Sequence, residues 1–314
     1  MQTIESTFED IKKMRIRGAG RIARASVKAL EDFGTALDVK SGTEFINKVK
    51  EAGEFLKNAR PTAVSLPNAV NYVLTNLDKE CQCTVDVPVL KDSLKKYCEK
   101  FITRSESAIE RIGLIGSNRI QDGDIILTHC NSESAIAIIL AAFKQKKNIK
   151  VFCTETRPKM QGLLTSSKLA KEGIDVTLII DSAARFYMNR VNVVVVGADA
   201  ISVNGAIVNK IGTSMMALAA KESRSRFIVA AESYKISPKT FYGELIPIEE
   251  RPHEEVVTKD WYAMNECVKI ANPAFDITPP EYIDLIVTEY GVFPPQAILL
   301  LFKEIYGSID IINQ

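Results

Sequence analysis

The residues of this chain that suit chemistry stand where short apolar runs stop. DIILTHC ends in His129 and Cys130 ahead of Asn131 and Ser132, VFCTET ends in Glu155, Thr156 and Arg157, VNVVVVGAD ends in Asp199, and RFIVAAES leads to Lys235. Cys130 lies just before a helix that the pattern starts near Ser132. Unpaired backbone N–H groups and the helix dipole there stabilise a thiolate and lower its pKa. The other reading is a small buried hydrophobe, and Cys153, inside its run, is assigned to that role. Asp199 follows Val193 to Val196, Gly197 and Ala198, so its carboxylate is expected to emerge from an apolar wall that raises its pKa towards that of a general acid. A helix cap or turn aspartate is the alternative. Taken together, the thiol and the carboxylate make an acid/base pair for proton transfer.

Two segments suit phosphate. Asn209-Lys210 followed by Gly212-Thr213-Ser214 precedes a helix of small residues, and Arg17-Gly18-Ala19-Gly20 opens another. Each combines a fixed cation with backbone donors at a helix N-terminus. Gly18-Ala19-Gly20-Arg21-Ile22-Ala23 also fits the dinucleotide fingerprint G-x-G-x-x-A, which requires a preceding strand and an acidic residue ending the next one. A helix precedes it here, and Glu31 and Asp32 lie on the same helix that the glycines open, so nucleotide redox chemistry is rejected.

The elements that position these residues fall into two parts. Up to about residue 120 the apolar spacing is helical: a capping box at Ser6 to Glu9, a helix carrying Ile22, Ala25, Ala29 and Phe33, then patterns over Ser41 to Ala59, Ala69 to Leu77 and Val89 to Arg119. From Asp122-Gly123 the pattern becomes turn, short apolar strand, helix, repeated through DIILTHC, NIKVFCTET, DVTLIID, VNVVVVGAD and RFIVAAE. Near-continuous β-branched runs suit strands covered on both faces. The expectation is a helical N-terminal domain over 1–120 and a Rossmann-like, doubly wound, mainly parallel α/β domain over 121–314. In such sheets ligands bind beyond the carboxyl ends of the strands, where the polar residues above converge. Pro238 to Asn272 is charged with few clear periods; Tyr282 to Tyr290 reads as another strand and Pro294 to Ile305 as a closing helix.

Composition narrows the functional classes. Forty Lys and Arg against 39 Asp and Glu leave a net charge of +1 over 314 residues, which gives no global attraction to nucleic acid or to an anionic membrane. The N-terminal stretch lacks the apolar run of a secretory signal, and no stretch approaches the roughly 18–20 apolar residues of a membrane-spanning helix. A cytoplasmic protein is expected. Six cysteines without repeated pairing suit reduced thiols. Cys81, Cys83 and Cys98 lack the further ligand of a zinc site, so neither a metal nor a cofactor is expected.

Segments along the whole chain carry a family resemblance: RGAG at 17–20, ARPTAV at 59–64, THCNSESA at 128–135, ETRPKMQG at 155–162, GADAISVNGAIVNKIGT at 197–213 and NPAFDITPPEYID at 272–284. Together they resemble the superfamily of ribose-1,5-bisphosphate isomerases, methylthioribose-1-phosphate isomerases and the regulatory subunits of a translation-initiation exchange factor, most nearly its archaeal bisphosphate-isomerase branch. The resemblance implies conversion of α-D-ribose 1,5-bisphosphate to D-ribulose 1,5-bisphosphate in nucleotide salvage, with Cys130 and Asp199 catalytic. Arg17, Gly18, Ala19, Arg60, Ser132, Asn209, Lys210 and Lys235 would bind substrate, AMP would activate, and the chain would form a homo-oligomer, dimer or hexamer. The methylthioribose branch typically reads RGAP where this chain has RGAG, and its substrate has one phosphate; Arg17, Arg21, Arg60, Arg157, Lys210 and Lys235 supply cations enough for two. The regulatory subunits generally lack the Cys/Asp pair.

Overall fold

Apolar side chains recurring every three or four residues put the first part of the chain into helices. The computed structural model describes residues 3–60, 63–82 and 84–306, and the chain divides into two compact units, Met1–Ala108 and Ile109–Gln314.

The first unit holds α1 (Ile4–Lys12), α2 (Ala19–Ala36), α3 (Gly42–Lys57), α4 (Ser65–Cys81) and the larger part of α5 (Val87–Ser117). Helix α1 begins a turn before the expected capping box. Thr3 is its cap, accepting from Ser6 N, and this earlier start buries Ile4 on the same helix as Ile11. The division falls within α5, ahead of the expected residue 120, because the last turns of α5 pack on the second unit's first helix, α6 (Glu133–Lys144). A Cβ on Gly113 would lie 2.9 Å from Ala137 O, and one on Gly116 2.3 Å from Ile138 Cδ1. Cys83 of the C-x-C lies outside the described residues; Cys98 is buried. No helix among the described residues is long and apolar enough to cross a membrane.

The second unit continues β1 (Ile125–Thr128), α6, β2 (Lys150–Thr154), α7 (Gly162–Lys171), β3 (Asp175–Ile179), α8 (Ala184–Met188), β4 (Val193–Gly197), β5 (Ala200–Ser202), β6 (Ile207–Lys210), α9 (Thr213–Ser223) and β7 (Arg226–Ala230). It ends with β8 (Ile236–Ser237), α10 (Lys259–Met264), β9 (Phe275–Thr278), β10 (Leu285–Thr288), β11 (Gly291–Phe293) and α11 (Ile298–Tyr306). The main sheet has the order β11-β10-β7-β4-β1-β2-β3 and is parallel except for β11. Winding runs outward from β1 through β2 to β3, then returns to β4 and proceeds the other way. The switch point, where open α/β sheets bind ligands, therefore lies between β1 and β4.

The valine run explains why these strands are central. Val193 and Val195 face a core with Ile126, Ile228 and the Ile136 and Ile139 side chains of α6. Val194 and Val196 face the opposite core with Met216 and Ala220 of α9 and Leu301 and Phe302 of α11. Alternate residues are thus buried on both faces, as a doubly wound sheet requires.

A second sheet, β8-β5-β6-β9, stands beside the first. Its β5–β6 hairpin was not anticipated, although Asn204-Gly205 between two apolar segments is a hairpin signal. Gly205 takes φ +87°, and a Cβ there would also lie 2.3 Å from Pro295 O, so glycine is required twice over.

Candidate active site

Cys130 follows β1 directly and Asp199 follows β4, on the two sides of the switch point. Cys130 has φ 68°, left-handed for a non-glycine residue, and Thr156, which its N–H meets, and Met160 have φ 63° and 54°. Such residues cost on the order of 1–3 kcal/mol each and persist only where their surroundings over-determine them. Around Cys130 they do. Its N–H donates to Thr156 Oγ1 at 2.9 Å, its carbonyl accepts from Thr165 Oγ1 at 2.7 Å, and its Sγ lies 3.6 Å from Gln161 Oε1. Thr156 in turn is held by Asp181 at the end of β3, whose carboxylate accepts Thr156 N at 2.8 Å and Arg157 N at 2.7 Å.

The thiol differs from expectation. Burial pushes Cys130 up to about 11; the Lys210 ammonium pulls the other way, Asp199 raises it further, the Asn131 N–H lowers it and Asp181 raises it. The helix N-terminus does not produce a thiolate in the free site, because loss of water outweighs one backbone donor and one cation. Cys153 is buried inside β2, in keeping with a packing role, and is pushed up to about 12 by burial alone.

Asp199 is half-buried, not enclosed, and its N–H donates to Val208 O at 2.9 Å, which ties the end of β4 to β6. Ser132 is the cap of α6, its Oγ accepting Ala135 N at 3.3 Å. A Cβ on Gly197 would lie 2.3 Å from that Oγ, so only glycine lets the end of β4 meet the start of α6.

Asn209 and Lys210 end β6, and both are buried. Asn209 Nδ2 donates to Thr213 Oγ1 at 3.0 Å. Lys210 is only 9% exposed, and its Nζ lies 4.7 Å from the centre of the Phe275 ring. Among the described residues it makes neither an ion pair nor a hydrogen bond through that ammonium. Buried charges are normally paired; this ammonium has the ring face instead. Lys235, beyond β7, is different: its Nζ lies 2.6 Å from Glu232 Oε2. Burial pushes Glu232 upward, but the Lys235 charge overrides this and holds the carboxyl below the usual range.

The N-terminus of α9, expected to suit phosphate, is already occupied. Asp276 accepts Gly212 N at 2.7 Å and Ser214 N at 3.1 Å. Burial outweighs these donors and raises its pKa to about 6. A raised carboxyl pKa contributes stability that is present below the unfolded value of about 4 and is lost as pH rises through about 6. In urea titrations, the difference in unfolding free energy between wild type and Asp276→Asn should therefore move against wild type by about 2 kcal/mol from pH 4 to 7. A difference that does not change with pH would return Asp276 to its ordinary value.

Arg17, Gly18, Ala19 and Arg60 belong to the helical unit. Gly18, at φ 88°, caps α2 without a side-chain hydrogen bond. Ser65 Oγ donates to Ala19 O at 3.0 Å, which brings the starts of α2 and α4 together. Arg17 Nε donates to Met14 O at 2.6 Å, and Arg60 is buried.

Sequence reading did not single out Gln161, Asp181, Glu232 or Asp276. The roles of Gln161, Asp181 and Asp276 depend on contacts tens of residues away, while Glu232 meets Lys235 three residues on. Within the second unit, Cys130, Asp199 and Lys210 stand at the carboxyl-end side of the switch point of a doubly wound sheet. The chain belongs to the Initiation factor 2 subunit family, whose model matches residues 15–295. It is 53% identical over 311 residues to the ribose 1,5-bisphosphate isomerase of Methanocaldococcus jannaschii, covering 99% of this chain and 97% of that protein. It is 38% identical over 309 residues to the methylthioribose-1-phosphate isomerase of Thermosipho africanus, covering 94% and 88%. The Pyrococcus horikoshii OT3 translation initiation factor eIF-2B has the same fold, with a TM-score of 0.80, 30% identity, and coverage of 93% of this chain and 97% of that one.

Proposed function

We propose that this chain is an aldose–ketose isomerase that converts α-D-ribose 1,5-bisphosphate to D-ribulose 1,5-bisphosphate. The observation that carries this reading is the placement of Cys130 and Asp199 across the switch point, with the unpaired, buried ammonium of Lys210 close enough to act on the thiol. The greater identity to the bisphosphate isomerase than to the methylthioribose enzyme supports the choice of substrate.

The substrate carries phosphate on C1 and its closed ring offers no free aldehyde, so the ring opens first. Since Cys130 rests as a thiol, its proton passes to Asp199, leaving a thiolate in the field of Lys210 and a carboxylic acid. Asp199 gives that proton to the ring oxygen as the C1–oxygen bond breaks, and Cys130 takes the proton from C2. The enol so formed becomes the 2-ketone as Cys130 gives a proton to C1 and Asp199, now a carboxylate, takes the C2 hydroxyl proton, which restores both groups with no net gain or loss of electrons. A direct hydride passage from C2 to C1 is the competing route, with the pair handling hydroxyl protons alone.

Lys210, Asn209, Ser132 and Lys235, with Arg17, Gly18, Ala19 and Arg60, are the proposed phosphate and hydroxyl contacts. A cytoplasmic homo-oligomer, dimer or hexamer, activated by AMP and needing no cofactor, goes with the same reading.

The test is turnover of ribose 1,5-bisphosphate beside methylthioribose 1-phosphate, with and without AMP, in heavy water. Turnover of the bisphosphate with deuterium at C1 is expected. Preference for the methylthio substrate would transfer the chain to the neighbouring activity, and binding without turnover would make it a regulatory subunit.

A further inference from the structure

His129 is buried beneath the site, and both its ring nitrogens are engaged. Nε2 lies 2.8 Å from Ile211 O, a carbonyl that only accepts, so Nε2 carries the proton. Nδ1 is then an acceptor, 2.6 Å from Thr154 Oγ1, which must donate to it. Thr154 Oγ1 can accept from Thr156 Oγ1 at 3.3 Å, and Thr156 Oγ1 accepts the Cys130 N–H at 2.9 Å. One consistent direction thus runs from the Cys130 peptide through Thr156, Thr154 and His129 to Ile211, the residue after Lys210.

We propose that His129 is a positioning residue, whose neutral imidazole, through Thr154 and Thr156, fixes the left-handed backbone of Cys130 against the β6 end that carries Lys210. The chain of hydrogen bonds crosses from β1 to β2 and back, and then passes to the second sheet, so it joins two elements that otherwise hold their catalytic candidates independently. Asp181 pins Thr156 from β3 and also lies 3.9 Å from His129 Nδ1. Burial nevertheless lowers the His129 pKa, which agrees with the neutral form that the carbonyl partner demands. Gly212 is part of the same design: at φ +100°, a Cβ on it would stand 3.2 Å from His129 Nε2.

This inference rests on the isomerase reading for its kinetic consequence but not for its chemical one. The experiment pairs steady-state kinetics with alkylation of Cys130 by iodoacetamide, followed peptide by peptide from pH 7 to 11 in the full chain. The variants are Thr154→Val, which keeps the shape and removes the hydroxyl, Thr154→Ser, which restores the hydroxyl, and His129→Gln. Thr154→Val and His129→Gln should lower kcat about ten- to hundredfold with KM within about threefold. In both, alkylation of Cys130 across this range should slow as the sulfur leaves the field of Lys210. Thr154→Ser should return both readouts to within about threefold of wild type. If Thr154→Val does not fold, His129→Gln carries the test. Unchanged alkylation of Cys130 in a slowed variant would overturn the proposal, as would a Thr154→Ser variant no better than Thr154→Val. A shifted alkylation profile in a protein that does not turn over the bisphosphate would uphold the positioning role and remove the isomerase reading.

Discussion

Cys130→Ser and Asp199→Asn should each lower kcat for ribose 1,5-bisphosphate about a thousandfold while leaving KM within about threefold. Neither substitution disturbs the fold as described. Serine keeps the left-handed backbone contacts with Thr156 and Thr165, which involve the main chain of residue 130 alone. Asparagine is isosteric with aspartate, and its N–H remains free to donate to Val208 O. What is lost is the exchangeable proton: a serine hydroxyl is far less acidic than a thiol, and an amide neither accepts nor releases a proton at neutral pH. On the proposed mechanism one proton passes between sulfur and carboxylate, so the two groups act as a unit. The double variant should therefore be no slower than about the slower single variant, where independent contributions would multiply. Measured kcat and KM for the two single variants and the double variant, with melting temperatures to check folding, decide the matter. Multiplicative losses would mean that Cys130 and Asp199 act in separate steps.

Much of the α/β unit was legible because its signals are local. The β-branched runs are strands for the reason that made them readable, burial on both faces, and Cys130, Glu155 and Asp199 stand just past a strand end, while Lys235 lies in a turn further beyond β7. The small sheet was not legible, apart from the Asn204-Gly205 turn, since β5, β8 and β9 are two to four residues long and gain their identity only by pairing with one another. The same distance effect hid Asp276. Its sequence position, within FDITPP, says nothing of α9, yet it pairs on β9 opposite Asn209 and so meets the helix start that follows β6. The thiol was misjudged for a related reason. A helix N-terminus can be placed from sequence, but the water that a packed site excludes cannot, and at Cys130 burial is the larger influence.

Lys210→Met should separate binding from stability in opposite directions. The ammonium is buried and has neither an ion-pair nor a hydrogen-bond partner among the described residues, so in the free protein it bears a desolvation cost with little return beyond the Phe275 ring. Methionine fills the same volume, keeps contact with that ring through its thioether and removes the charge. The free variant should be more stable than wild type by about 1–2 kcal/mol, which in a chain of this size raises the melting temperature by a few degrees. Substrate meets the reverse effect. A phosphate that loses a charge-assisted partner in a water-poor site should show KM raised about ten- to hundredfold. The lost cation should also push the Cys130 thiol further up, so that alkylation at pH 9 slows. Thermal melts of the free and bisphosphate-saturated protein make the contrast visible, because the substrate-induced gain in melting temperature should be large in wild type and nearly absent in the variant. A variant less stable than wild type when free would show that Lys210 holds the fold, and its ammonium would then need a partner inside the protein.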